Sequence, residues 1–169
     1  MRFIIRLFGG LISLSLLAGV ASVVAAALFK GRLVSSGEPP DDDVALVAIF
    51  DGLELASTAP AFRGGSVLCW YGGGSIDLRA ATLDPGGATL DVRTLFGGVR
   101  LVVPPGLRVR SEMVALFGGI GDGRDNAVGS DAEGDAPVLT LTGWAIFGGV
   151  GIVSDAPDLD AGPAEAGAV

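Results

Sequence analysis

Histidine is missing from this chain altogether, and cysteine occurs once, at Cys69. Ser-His-Asp and Cys-His catalytic arrangements are thereby excluded, as are histidine-based zinc sites. With one cysteine no intramolecular disulfide can form, so cysteine usage leaves the redox compartment open. Cys69 sits in Val67-Leu68-Cys69-Trp70 with no basic neighbour to lower its pKa, which reads as a buried structural thiol rather than a nucleophile. Basic side chains are also few. Of 11, four (Arg2, Arg6, Lys30 and Arg32) flank the first apolar run, so residues 33–169 keep seven against 19 acidic ones, a net charge of −12. A surface this acidic excludes nucleic-acid binding through its general field. No Gly-Lys-Ser/Thr follows any glycine cluster, so a phosphate cradle is excluded, and no cofactor is expected. Beyond residue 32 no apolar 3.6-residue periodicity runs for ten residues between caps, so no substantial helix is expected there.

Glycine, by contrast, is abundant at 28 of 169 residues, about twice its usual share of roughly 7%. No strict Gly-X-Y period exists, which excludes collagen, and half of the chain is hydrophobic, which excludes simple disorder. The glycines are patterned. An aromatic residue followed by paired glycines opens a short alternating stretch at Tyr71-Gly72-Gly73-Gly74, Phe96-Gly97-Gly98, Phe117-Gly118-Gly119 and Phe147-Gly148-Gly149. Looser copies stand at Phe50-Asp51-Gly52 and Phe62-Arg63-Gly64-Gly65. The four close copies are 25, 21 and 30 residues apart, within the range of stacked repeats.

Period-two alternation recurs between them: Thr89-Leu90-Asp91-Val92-Arg93, Leu107-Arg108-Val109-Arg110 and Val138-Leu139-Thr140-Leu141-Thr142 each place apolar residues on one side. Asp84-Pro85-Gly86-Gly87 and Pro104-Pro105-Gly106 are turn sequences. These features predict a mainly β fold: a short β-solenoid whose aromatic-Gly-Gly corners stack in layers, the rings forming a ladder and the glycines sparing a clash between neighbouring rungs. A β-sandwich is the alternative that alternation and turns alone would fit.

Four segments are expected. Residues 1–32 form an N-terminal transmembrane anchor, because Leu7 to Phe29 is an uncharged run of 23 residues with Arg6 before it and Lys30 and Arg32 after it. A cleaved signal peptide is the rival reading, but the run exceeds an h-region of roughly 7–15 residues. Ala18, Ser22 and Ala26 make a small-residue row on which two such helices could pack. Residues 33–43 are an acidic Pro/Ser linker, 44–154 the β domain and 155–169 a disordered tail. The positive-inside comparison is nearly tied and leans towards a β domain outside a single-pass membrane protein.

Three motifs in order carry a family resemblance: Gly73-Gly74-Ser75-Ile76-Asp77-Leu78-Arg79, Leu95-Phe96-Gly97-Gly98-Val99-Arg100-Leu101-Val102-Val103-Pro104 and Leu116-Phe117-Gly118-Gly119. Together, over roughly 44–153, they resemble the C-terminal domain of LiaF-type proteins, the cell-wall-active antibiotic response proteins of bacteria. That resemblance implies a glycine-rich β-solenoid, a bacterial cell-membrane location, and restraint of a membrane histidine kinase that senses envelope stress. It supplies no catalytic residues. Those proteins place several membrane helices before the domain, whereas this sequence offers one.

Other chemistry is thin. Asp77 and Asp91 are carboxylates on strands that also carry Arg79 and Arg93, which reads as a solvated face with cross-strand charge pairs rather than an acid-base pair. Gly118-Gly119-Ile120-Gly121-Asp122-Gly123 approaches a calcium-roll nonapeptide with the aspartate one place early, leaving Asp122 and Asp125 as weak metal candidates in a stretch read as an exposed loop. The expected role is therefore non-enzymatic: a membrane-anchored interaction module or, alternatively, a self-associating structural protein of the envelope, with homo-oligomers formed through strand edges.

Overall fold

A computed structural model describes residues 2–30, 35–124 and 136–154. Helix α1 (Arg2–Lys30) is followed by strands β1 (Asp43–Ile49), β2 (Gly52–Ala56), β3 (Gly64–Trp70), β4 (Gly73–Asp77), β5 (Ala88–Leu95), β6 (Gly98–Val102), β7 (Arg108–Ser111), β8 (Val114–Leu116), β9 (Gly119–Asp122), β10 (Val138–Ile146) and β11 (Gly149–Val153). They build two sheets in which every pairing of named strands is parallel. The first has the order β1-β3-β5-β10-β7, with β8 beside β10, and the second β2-β4-β6-β11-β9. A mainly β fold is thus present, and its uniform parallel pairing departs from the antiparallel sheets of a β-sandwich. Among the described residues no helix is long and apolar enough to cross a membrane. The side chains of α1 are described at Ser15 and from Leu17 onward.

Each turn of the chain contributes one strand to each sheet and bends at an aromatic corner. Coil I is β1–β2, coil II β3–β4, coil III β5–β6, coil IV β7–β8–β9 and coil V β10–β11. Val44, Leu46, Val67, Cys69, Leu90, Val92, Leu139 and Leu141 from the first sheet meet Leu55, Ile76, Val99, Leu101, Val150 and Ile152 from the second in one core. Phe62, read from sequence as a loose corner copy, lies fully buried in that core, whereas Phe50 does form a corner.

The layers do not stack in chain order. Coil V lies between coils III and IV, since β10 pairs with β5 on one side and with β7 and β8 on the other, and β11 pairs with β6 and β9. An interior layer pairs on both sides and needs apolar side chains at its inward positions. Coil V supplies that with Leu139, Leu141 and Ala145, all fully buried. Coil IV leaves Val114 and Leu116 exposed and carries Gly119 and Gly121 in β9, so it fits the end of the stack.

The corners divide labour differently from the sequence expectation. The left-handed backbone belongs to the rings: Phe50, Tyr71, Phe96, Phe117 and Phe147 all have φ between 52° and 55°. The glycines serve close approach. A Cβ on Gly97 would lie 1.7 Å from the Gly72 carbonyl oxygen, on Gly118 1.7 Å from that of Gly148, and on Gly148 1.8 Å from that of Gly97. The second glycine of each pair is less confined. A Cβ on Gly98 would stand 3.4 Å from the Gly149 oxygen, and one on Gly119 meets nothing within 4 Å.

Residues 35–36 of the expected linker are bound to the head: Ser36 exchanges two backbone hydrogen bonds with Ala45, and Ser35 Oγ both accepts from Val47 N–H and donates to its carbonyl. The turn sequences form as read, with Gly87 N–H donating to Asp84 O and Leu107 N–H to Pro104 O. The tail at 155–169 lies outside the described residues.

The corner asymmetry yields a contrast. Gly97→Ala should cost about 3 kcal/mol or more through an unavoidable backbone overlap, whereas Gly98→Ala should change stability by under about 1 kcal/mol. Urea titration of both variants measures the difference. In the core, the Thr94 hydroxyl is fully buried with no hydrogen-bond partner among the described residues. Replacing Thr94 with Val removes that orphan at near-constant volume and should raise stability by about 1 kcal/mol in the same titration.

Candidate interaction surface

Parallel strands in register repeat their side chains in rows, so one surface residue per coil becomes a line down the stack. Three adjacent rows are apolar. The first is the corner ladder, in which Phe50, Tyr71, Phe96, Phe147 and Phe117 stack with centroids 4.8–5.2 Å apart and planes within 8° of parallel. Its order is the spatial order of the coils. The second holds Ile49, Trp70, Leu95, Ile146 and Leu116, which share one register position on the first sheet. They alternate with the inward Ala48, Cys69, Thr94 and Ala145 and so face away from the core. The third, two residues earlier, is Val47, Leu68, Trp144 and Val114, interrupted in its middle by the charged Arg93.

Sequence reading found the rings and missed the rows beside them. A signal was present, because each ring follows a large apolar residue: Ile49, Trp70, Leu95, Leu116 and Ile146. Alternation alone cannot show that two consecutive apolar residues both reach the surface. They do so here because the left-handed turn at each ring breaks the alternation.

One end of this surface is covered by α1. Trp70 Nε1 donates to Ser22 Oγ at 3.2 Å, Lys30 Nζ lies 3.6 Å from Asp51 Oδ2, and Ala26 is fully buried. Ile49 is buried although it stands outside the core cluster. The small-residue row of the helix is thus turned towards the head at Ser22 and Ala26, while Ala18 is exposed. The opposite face of α1 presents Leu17, Val20, Val23, Val24, Leu28 and Phe29 to solvent.

The charged groups are self-contained. Arg79 pairs with Asp77, Arg93 with Asp91, Arg110 with Glu112 and Arg124 with Asp122, each two residues apart in the sequence rather than across strands as expected. Hydrogen bonds from Arg79 and Arg124 hold the Asp77 and Asp122 carboxyls below the usual carboxylate range. Both Asp122 oxygens are engaged by Arg124, which is itself buried and also donates to Leu107 O. Up to residue 122 this stretch is an exposed strand and not a loop, and Asp122 is the partner of a buried arginine. Asp125 lies outside the described residues. Among the described residues no group of three potential ligands converges on a metal position. Asp77 and Arg79 border an open hollow with Ala56, Ser57, Thr58 and Ala80, where the carboxylate is already taken by the guanidinium.

No family model matches the chain, and no curated protein or solved structure matches it.

Burial pushes the Cys69 thiol from 9.0 up to about 11. A native thiol that stays protonated should resist thiol reagents at pH 8 and react once the chain is unfolded. Because the folded value lies above the unfolded one, the stabilisation is fully present below pH 9 and is lost as pH rises towards 11. Unfolding measured across that interval should show a falling stability that Cys69→Ala flattens.

Proposed function

We propose that this chain is a non-enzymatic, membrane-anchored interaction module whose head is a short β-solenoid. The observation that carries the reading is the amount of apolar surface left facing solvent. Leu17, Val20, Val23, Val24, Leu28 and Phe29 of α1, and Phe50, Phe96, Phe117, Phe147, Val114 and Leu116 of the head, are all exposed large hydrophobic residues, and a soluble monomer rarely exposes apolar side chains in clusters of this kind. A bilayer accounts for the helix side of it. Leu7 to Phe29 is 23 uncharged residues, about 35 Å as a helix against a hydrocarbon core of about 30 Å. The contact from Trp70 to Ser22 holds the head against the C-terminal part of that helix.

The LiaF-type resemblance supports a more specific role, restraint of a bacterial envelope-stress sensor kinase, with the head on the outer side. It rests on the order of three motifs, and in the structure these are the corners of coils II, III and IV. The self-contained ion pairs and the protonated Cys69 favour binding over chemistry.

Two measurements test this. The chain should remain with membranes through an alkaline carbonate wash, and Val20→Asp together with Val24→Asp should release it; a wild-type chain that washes off would end the anchor reading. For the kinase role, removing the protein should raise the basal output of an envelope-stress reporter, and an unchanged basal and induced response would end it.

A further inference from the structure

The two ends of the coil stack are built differently, and from this we infer that a second copy of the chain docks on the coil IV end, closing a two-fold dimer and not extending into a filament. This specifies a partner and a surface for the module, and it stands on the head alone, whether or not α1 enters a bilayer.

At the coil I end the edge of the first sheet and the corner are closed, although β2 is an outermost strand and Phe50 stacks on Tyr71 alone among the described rings. The outer edge of β1 is occupied by Ser35 and Ser36, which take up the backbone groups of Ala45 and Val47. Where coils II, III, V and IV carry Gly72, Gly97, Gly148 and Gly118, coil I carries Asp51. At each of those glycines a Cβ would overlap the carbonyl oxygen of the layer on the coil I side, at 1.7–2.3 Å. Asp51 can hold a side chain there because no layer lies beyond it, and that same side chain bars one from being added in parallel. Lys30 of α1 pairs with it. Head-to-tail growth, which would seat the coil IV end of one copy on the coil I end of the next, is blocked at this corner.

The coil IV end is unfinished in three ways. Phe117 stacks on Phe147 on one side only and is 79% exposed, the highest among the large exposed hydrophobic residues. Val114 and Leu116 beside it are exposed. Among the described residues no strand pairs with the outer edges of β7, β8 and β9. The established contact between layers, rings face to face with strand edges hydrogen-bonded at either side, therefore continues up to this surface and stops there. A two-fold partner brings an identical ring and identical open edges. Strands meeting across such an axis at the end of the stack run antiparallel, which satisfies their backbone groups without the close glycine approach that parallel layers need. A self-complementary contact of this kind closes at two copies.

Gly119 is the point of attack. The second glycines at Gly73, Gly98 and Gly149 aim their missing Cβ at the oxygen of the layer on the coil IV side, while that of Gly119 points into open space at the end of the stack. Full-length protein, in detergent if it is membrane-bound and in buffer if it is not, should sediment as a dimer across the micromolar range. Gly119→Arg should weaken dimerisation at least about 100-fold while leaving circular dichroism and melting temperature unchanged. In a Cys69→Ala background, Gly119→Cys should form an intermolecular disulfide on mild oxidation, and Asp51→Cys should not. A wild-type monomer throughout overturns the inference. So does a dimer that survives Gly119→Arg, which would place the contact on α1 or the apolar rows, and so do species larger than two chains. Carbonate release of the wild type would overturn the anchor and leave the dimer result standing.

Discussion

Everything in this head depends on how closely two backbones approach at the corners. Parallel strands in a sheet sit about 4.7–4.9 Å apart, and stacked rings settle at nearly the same separation. The observed ring spacing of 4.8–5.2 Å shows the two distances locked together. At that separation a corner has no room for a Cβ facing the previous layer, so the residue after each ring is glycine wherever a previous layer exists. The ring itself adopts the left-handed conformation, which costs a non-glycine residue about 1–2 kcal/mol. Each stacked pair returns about 0.5–1.5 kcal/mol beyond its area burial. Four stacked pairs return about 2–6 kcal/mol of the roughly 5–10 kcal/mol that five left-handed rings cost, so the ladder offsets part of the strain and the core below supplies the rest.

That coupling also explains what faces solvent. The residue preceding each ring faces outward by the ordinary alternation of its strand, and the left-handed corner then turns the ring outward beside it. Because the strands are in register, a local consequence repeated five times becomes a continuous apolar surface. In this architecture the device that stabilises the turn and the surface that invites a partner are the same set of residues. The head therefore does not need a separate binding site, and its charged side chains, closed into pairs two residues apart, do not compete for one.

Much of this was legible in the residues. Parallel layering followed from the repeated corner, and Phe96, Phe117 and Phe147 do stack. Gly97 and Gly118 are indispensable for the steric reason that the spacing suggested. What escaped was of two kinds. At the corners positive φ falls on Phe and Tyr, a placement that residue type does not disclose because glycine adopts it more freely. Layer order escaped because each corner motif looks alike, and motif order says nothing about which coil a strand pairs with. Only the quality of each coil as an interior layer distinguishes them: Leu139, Leu141 and Ala145 in one, Val114, Leu116 and Gly121 in the other. The charge pairs were misplaced for a related reason. In-register parallel strands put unlike rows side by side, but Asp and Arg two residues apart in the sequence already share a face and meet first.

Insertion of the last coil between two earlier ones has a consequence for how the head forms. Coils I to III can stack as they leave the ribosome, each on the one before. Coil IV cannot, because its strands have no partner until coil V arrives to lie against β5 and β6. The C-terminal part of the stack therefore forms in a single step, with coil V docking on coil III and coil IV docking on coil V. A layer recruited last and held from one side only is the least protected in the structure, and it is also the layer with the exposed ring and open edges. Folding order and the polarity of the stack thus share one origin: the sequence places its best core-forming coil at the end of the chain and its poorest at the end of the stack.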